Sequence, residues 1–458
     1  MIPQDLTPAI LEGDVSELLR SLPSDSIHCV VTSPPYWGLR DYGLRPVRWG
    51  GTARCKHEWE PTGLPRHREA HGVTGDVSRG NAALAHNASG GGSTCRKCRG
   101  WLGQLGLEPT PERFVEHLAG VFDEVRRVLR PDGTLWLNLG DTYATHPSGL
   151  TGEKRWKAST LARRDRTGAE QAGRMDKRAP GLKPKDLVGI PWRVAFELQR
   201  RGWWLRSDCV WAKPNPMPEA VRDRPTRAHD SVFLLTKSRR YFYDAYAVRE
   251  PLQESTLQRL RHHLPNPADN RTSRSKHPEG DFRRFPMLRN TSPSGRNLRT
   301  VWWIPTQPYR EAHFATFPEK LPELCITAGT SERGACAECG MPWTREVRAI
   351  GGAIGHAQPL EAPLVSGRAP VADAPGWHDG SYQRVDLGFR KRCSCGTTRT
   401  APCLVLDPFA GSGTVLAVAR RLCRRSIGIE LNPDYVTLAR RRSAAGIPAA
   451  VGREEASA

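Results

Sequence analysis

Two short stretches carry residue types that packing alone does not ask for. One is Asp407-Pro408-Phe409-Ala410-Gly411-Ser412-Gly413-Thr414, with Glu430 further on. Strand, glycine turn, helix, then a strand closed by an acid is how an open α/β sheet holds a nucleoside. The glycines let a ligand approach the backbone, and the carboxylate accepts hydrogen bonds from ribose hydroxyls. Gly411 and Glu430 stand at the roughly 20-residue separation this arrangement uses. There is no Gly-Lys-Ser/Thr, which excludes a phosphate loop, and Leu416 occupies the place of a dinucleotide fold's third glycine. A nucleoside without pyrophosphate fits better, and S-adenosylmethionine is the one expected. The other stretch is Ser33-Pro34-Pro35-Tyr36. Its prolines stop both sheet pairing and helix formation, so a hydroxyl, a carbonyl and an aromatic ring sit on a rigid turn.

Cysteine spacing suggests a third kind of chemistry. Cys55 and His57 precede Cys95-Arg96-Lys97-Cys98, and Cys336-Ala337-Glu338-Cys339 precedes Cys393-Ser394-Cys395. In a chain with no sign of export, disulfides are not expected, and a Cys-x-x-Cys knuckle with a second two-ligand cluster reads as tetrahedral zinc. Four protein ligands leave no open position, so both sites would be structural. Cys29, Cys209, Cys325 and Cys403 lie in apolar surroundings and read as core.

These groups need elements to position them. Residues 9–20 read as strand, turn and amphipathic helix, and Ser26–Thr32 as a buried β-branched strand leading into Ser33. Thr110 starts a helix that runs to Leu129, and Pro131-Asp132-Gly133 turns into a strand over Thr134–Leu139. A helix follows over Trp192–Arg200, then strands near Trp203–Trp211 and Ser231–Thr236. The last segment reads as strand Cys403–Leu406, helix Val415–Leu422, strand Ser426–Glu430 and helix Pro433–Arg442. Only 28 residues follow Glu430 in a chain of 458. The remaining strands of the sheet must therefore come from the N-terminal half, which makes the chain order look permuted.

The chain carries 68 Lys and Arg against 48 Asp and Glu, a formal net charge of +20, which favours a polyanionic partner such as nucleic acid. No run reaches the roughly 18–20 apolar residues of a membrane span, and the opening Met-Ile-Pro-Gln-Asp-Leu lacks a secretory leader. The stretches 151–185 and 251–300 are basic and aperiodic.

Val31-Thr32-Ser33-Pro34-Pro35-Tyr36-Trp37, followed far downstream by Asp407–Thr414, resembles the DNA amino-methyltransferases in their permuted arrangement. Trp211–Pro216, Leu234–Ser238 and His313–Pro322 extend the likeness over most of the core. The resemblance implies an α/β fold: a doubly wound, Rossmann-like methyltransferase sheet, circularly permuted, with zinc-knuckle insertions and a basic target-recognition region. Residues 1–50 would be the catalytic half, 51–105 a zinc-binding insertion, 106–145 core, 146–190 a basic DNA-contacting loop and 191–249 core again. Residues 250–300 would recognise the target, 301–335 form the cofactor-side core, 336–400 a second zinc-binding insertion, and 401–458 the S-adenosylmethionine-binding half.

By the same resemblance, Ser33, Pro34, Pro35 and Tyr36 are catalytic. The Ser33 hydroxyl and Pro34 carbonyl would accept the N–H bonds of an exocyclic amine and free its lone pair, while Tyr36 stacks on a base swung out of the duplex. Asp14, Phe317, Lys320, Asp407, Pro408, Phe409, Gly411, Ser412, Gly413, Thr414, Glu430 and Asn432 would hold the cofactor; Asp14 reads equally well as a helix cap. Ser at the first motif position favours N4 of cytosine over N6 of adenine. C5 methylation would need a Cys nucleophile, and the only Pro-Cys pair, Pro402-Cys403, begins a core strand. A nicotinamide-dependent oxidoreductase and a non-catalytic zinc-stabilised DNA-binding protein are the competing readings. The expected partner is double-stranded DNA in a bacterial or phage-type, nucleoid-associated cytoplasmic setting, with no membrane, and with a cognate restriction endonuclease as a companion the resemblance allows.

Overall fold

The computed structural model describes residues 3, 5–39, 41–62, 92–144, 177, 181–253, 295–307, 317–351 and 382–444. The chain forms two units. The larger comprises Met1–Phe242, Thr300–Gly329 and Pro402–Ala458, and the smaller comprises Tyr243–Arg299 and Thr330–Ala401.

The larger unit is built on an eight-stranded sheet. Its strands are β1 (Ala9–Glu12), β2 (Ile27–Thr32), β7 (Leu129–Leu139), β8 (Trp204–Ala212), β9 (His229–Thr236), β10 (Val301–Trp303), β15 (Leu404–Asp407) and β16 (Arg425–Glu430). They lie in the order β1-β16-β15-β2-β7-β9-β8-β10, and β9 alone runs antiparallel to its neighbours. β2 and β15 are buried at every position, as expected of parallel strands covered on both faces. The helices are α1 (Val15–Arg20), α2 (Pro111–Val128), α3 (Ile190–Arg200), α4 (Lys320–Gly329), α5 (Thr414–Arg421) and α6 (Pro433–Ala444). In α2, Thr110 caps the N-terminus and Pro111 occupies the first turn, while Phe114, Leu118, Phe122 and Val125 form its buried stripe. Asp141 caps α3 from a distance: its carboxylate accepts the Gly189 and Ile190 N–H groups, each through Oδ1 at 3.0 Å.

The expected elements all form, with boundaries shifted by a few residues. The chief difference is at Pro131-Asp132-Gly133, where the chain bulges between two paired stretches of one strand: Leu129 already pairs with Ile27, and Thr134 resumes opposite Cys29. A smaller antiparallel sheet in the same unit, ordered β3-β6-β5-β4, joins β3 (Val47–Trp49), β4 (Trp59–Pro61), β5 (Ser93–Cys95) and β6 (Trp101–Gly103).

The smaller unit holds two antiparallel pairs. β11 (Ala335–Cys336) pairs with β14 (Thr400–Ala401), and β12 (Thr344–Gly351) pairs with β13 (Tyr382–Arg390). Arg345 ties this unit together. Its guanidinium bonds Asp244 at 3.0 Å and Glu332 at 2.6 Å, contacts Asp386, and lies over the Phe389 ring at 4.5 Å.

Gly329 ends α4 where the helix rests on the sheet. A Cβ there would stand 2.5 Å from Thr134 Oγ1 and 2.9 Å from Cys29 Sγ, both in the sheet. Gly329→Ala should therefore destabilise the larger unit by about 1–3 kcal/mol through overpacking. Urea unfolding of the two proteins tests this, and equal midpoints would contradict it.

Candidate active site and cysteine clusters

In an open α/β sheet, ligands gather outside the carboxyl ends of the strands, at the point where neighbouring strands send the chain in opposite directions. Here β15 leads through α5 to β16 on one side, while β2 leads through α2 to β7 on the other. β15 and β2 are adjacent and parallel, with Val405 opposite Cys29 and Leu406 opposite Val30. Their carboxyl ends are Asp407 and Thr32, so the glycine turn and Ser33–Tyr36 leave the sheet side by side. The Thr32 hydroxyl donates to Asp407 Oδ1 at 2.7 Å across the two strand ends.

The same Asp407 oxygen accepts the Phe409 N–H at 3.0 Å, which sets the first bend of the turn. Burial pushes the Asp407 carboxyl up to about 7, against the hydrogen bonds from Thr32 and Phe409 that favour its charged form. Gly411 and Gly413 both have positive φ, 51° and 77°. A Cβ on Gly413 would strike Ala439 of α6 at 2.8 Å, whereas one on Gly411 would meet nothing within 4 Å among the described residues. The Gly411 side of the turn therefore lies open to a ligand. Glu430, at the end of β16, accepts the Gly411 N–H through Oε2 and the Asn432 N–H through Oε1, each at 2.8 Å. Burial holds its proton affinity up as well. The carboxylate keeps acceptor capacity for a ligand hydroxyl. This donor and acceptor set fits a nucleoside.

Several other expected cofactor residues have visible structural work. Asp14 Oδ1 caps α1, accepting the Ser16 and Glu17 N–H groups at 3.0 and 3.1 Å. The Asn432 side chain accepts the Asp434 N–H in the first turn of α6. Lys320 is exposed and pairs with Glu323 at 2.8 Å, and Phe317 is half-buried. The residues that tie this segment to the glycine turn were not anticipated. Arg442, in α6, donates to Ser412 Oγ at 3.0 Å, to Thr414 Oγ1 at 2.8 Å and to Glu319 at 3.0 Å. An arginine near the end of a polar helix gives no local sign of such a role.

On the other side of the crevice, Pro34 is buried, and Ser33, Pro35 and Tyr36 are partly exposed. Ser33 donates to the Tyr36 hydroxyl at 3.2 Å. Burial raises the Tyr36 hydroxyl well above its ordinary range, and the nearby Asp230 carboxylate adds to this. Tyr36 packs on Gly140, where a Cβ would come within 2.3 Å of its ring. Behind the turn, Trp37 Nε1 donates to the Glu108 carbonyl at 2.9 Å. The fully buried Glu108 carboxylate accepts from Gly106 N–H at 2.8 Å and pairs with His117 at 3.2 Å. His117 in turn stacks on Trp49 and Trp101 of the four-stranded sheet, at 5.6 and 5.7 Å.

Both cysteine sets are gathered. Within each of Cys55-His57-Cys95-Cys98 and Cys336-Cys339-Cys393-Cys395, the ligand atoms lie within 4.8 Å of one another. Zinc–sulfur bonds of about 2.3 Å in a tetrahedron give a sulfur–sulfur edge of about 3.8 Å, and Cys55 Sγ stands 3.8 Å from Cys95 Sγ. Cys98 Sγ is 3.4 Å from His57 Nδ1, near the shorter edge expected for a mixed pair. The donor types and spacing fit a tetrahedral metal. In each knuckle the backbone turns tightly: Arg99 N–H donates to the Cys95 carbonyl at 3.0 Å, and Gly340 N–H to the Cys336 carbonyl at 2.9 Å. Cys29, Cys209, Cys325 and Cys403 are buried as expected. The basic stretches 151–185 and 251–300 lie mostly outside the described residues.

The family model described as DNA methylase, of N6/N4 type, matches residues 27–337 and 403–441. The chain is 34% identical over 439 residues to the type II methyltransferase M.Cfr9I of Citrobacter freundii, covering 95% of this chain and 88% of that protein. It is 30% identical over 436 residues to M.SmaI of Serratia marcescens, covering 94% and 89%. Among solved structures, the PvuII DNA methyltransferase (cytosine-N4-specific) aligns over 96% of this chain and 88% of that one, at 15% identity and a TM-score of 0.43.

The position of Asp407 makes stability depend on pH. An unfolded Asp titrates near about 3.9, so between roughly pH 4 and 7 the folded chain holds a proton that the unfolded chain has shed. Stability should fall as pH rises through that window and level off above it. Asp407→Asn keeps the acceptor for Thr32 and Phe409 but does not titrate. Its stability relative to the parent should rise by on the order of 2–3 kcal/mol between pH 5 and pH 8. Urea unfolding across that pH range checks this, and a difference that does not vary with pH would contradict it.

Proposed function

The chain belongs to the DNA methylase family of N6/N4 amino-methyltransferases, and on that premise we propose that it methylates N4 of a cytosine turned out of duplex DNA. The observation that carries this reading is the junction of the two strand ends, where Thr32 and Asp407 join the Ser33–Tyr36 turn to the glycine turn at 2.7 Å. When bound, S-adenosylmethionine supplies an electrophilic sulfonium methyl. The protein's own residues do the rest. Glu430 and the open side of Gly411 receive the nucleoside. The Ser33 hydroxyl and the Pro34 carbonyl accept the N–H bonds of the target amine, draw its nitrogen toward tetrahedral geometry and expose its lone pair. The nitrogen lone pair takes the methyl as its bond to sulfur breaks, the sulfur keeping that bonding pair, and the nitrogen then sheds one N–H proton to water. Ser at position 33 favours cytosine, and the Tyr36 ring provides a face for the extruded base.

The chain order supports a circularly permuted arrangement, since the strand that leads to Ser33 precedes the cofactor strand by most of the chain. The basic stretches 151–185 and 250–300 supply arginines for phosphate and guanine contacts. Each cysteine cluster takes a structural zinc ion that substitutes for the apolar core those short strands cannot build. Among the described residues no helix is long and apolar enough to cross a membrane.

Tritiated S-adenosylmethionine and mixed duplex DNA test the reading directly. Label should pass to DNA and, after digestion to nucleosides, appear in N4-methylcytosine; label in N6-methyladenine would reassign the base, and none in DNA would remove the enzyme reading. Ser33→Ala should slow transfer about 100-fold or more while cofactor affinity changes little, and a large loss of cofactor binding would contradict the role given to Ser33. Elemental analysis should find about two zinc ions per chain. Chelation should unfold the two clusters and weaken DNA binding, whereas zinc content near zero would refute the metal assignment.

A further inference from the structure

Asn138 stands near the end of β7 and is 2% exposed. The rest of Leu135–Leu139 is apolar, and packing alone would be served better by another leucine. The amide oxygen is buried and has no partner among the described residues, which lowers stability. The amide nitrogen accounts for the residue. It donates to the Tyr36 hydroxyl at 3.0 Å and to Ser33 Oγ at 3.3 Å.

A serine hydroxyl has one hydrogen and two lone pairs. Ser33 gives its hydrogen to Tyr36 and one lone pair to Asn138, so a single lone pair is left. The Tyr36 oxygen accepts from both Ser33 and Asn138, and both of its own lone pairs are taken. We propose that Asn138 is a positioning residue for methyl transfer: by holding Ser33 and Tyr36 together it fixes the Ser33 rotor, so that a lone pair rather than the O–H faces the target amine. Without it the hydroxyl is free to turn its hydrogen toward an amine that is itself a donor, and the acceptor is lost for part of the time. The inference rests on the role of Ser33 under the proposed function.

Asn138→Leu is close in size and continues the apolar run. Single-turnover transfer from labelled S-adenosylmethionine should fall at least 10-fold. Cofactor affinity should stay within about threefold, and the melting temperature should hold or rise. A double-mutant cycle gives the readout that a purely structural role would not move. In a Ser33→Ala background, the same Leu substitution should cost less than threefold, because the group it positions is already gone. Asn138→Ser, which shortens the side chain, goes through the same cycle should Asn138→Leu fold poorly. Additive effects, or an Asn138 variant at full speed beside a slow Ser33→Ala, would overturn the inference and leave the proposed function standing. A parent protein that transfers no methyl to DNA would overturn both.

Discussion

The site depends on one short hydrogen bond. Thr32 and Asp407 are 375 positions apart in sequence, yet their side chains meet at 2.7 Å where β2 and β15 end. The bond joins the two places at which the backbone must leave the sheet, so it sets the distance between the acceptor turn and the glycine turn. It is fully buried, and one partner is a carboxyl whose proton affinity is raised by that burial. Such a contact is strong only while water stays out. The strands beneath keep water out because every residue of both is buried.

Each turn is braced from behind by groups that touch no ligand site themselves. Behind the glycine turn, Arg442 gathers Ser412, Thr414 and Glu319, and Glu319 also pairs with Arg421 at 2.6 Å. Behind the Ser33–Tyr36 turn, Trp37, Glu108 and His117 lead into the sheet that carries the first cysteine cluster. This sheet is thereby part of the support for the Ser33–Tyr36 turn as well as a scaffold for the cluster. The two braces differ in kind. The first is a charged network with partial exposure, sensitive to salt. The second is aromatic stacking around a buried carboxylate, and it is largely insensitive.

Much of this was legible in the sequence because its signals are local. A fully buried parallel strand reads as a short, mostly apolar run rich in β-branched residues, and Ile27–Thr32 is one. Glycine turns and Ser-Pro-Pro-Tyr announce themselves by composition. Ligand sets with fixed short spacing, such as Cys95 and Cys98, do the same. Other features were not visible, for equally physical reasons. The strands β3 to β6 have three residues each, too few for any period to show. The β12–β13 pair lies in a Gly- and Pro-rich region whose composition reads as loop. Asp14 has a helix-capping use that spacing alone could not separate from a ligand role. Arg442 and Glu319 act across 123 positions, and each looks locally like an ordinary surface charge. Asn138 did leave a trace, as the one polar residue in Leu135–Leu139, but a single amide has no meaning until its partners are known.

The pairing of β1 with β16 has a consequence for synthesis. Ala9–Glu12 lies against Ile427–Glu430, and the Gly13 N–H reaches the Glu430 carbonyl at 2.9 Å. A ribosome must reach residue 430 before Ala9–Glu12 finds its hydrogen-bonding neighbour. Until then the N-terminal edge has no such partner. Chains that stop short of β16 therefore present an open strand edge of the sort that chaperones screen.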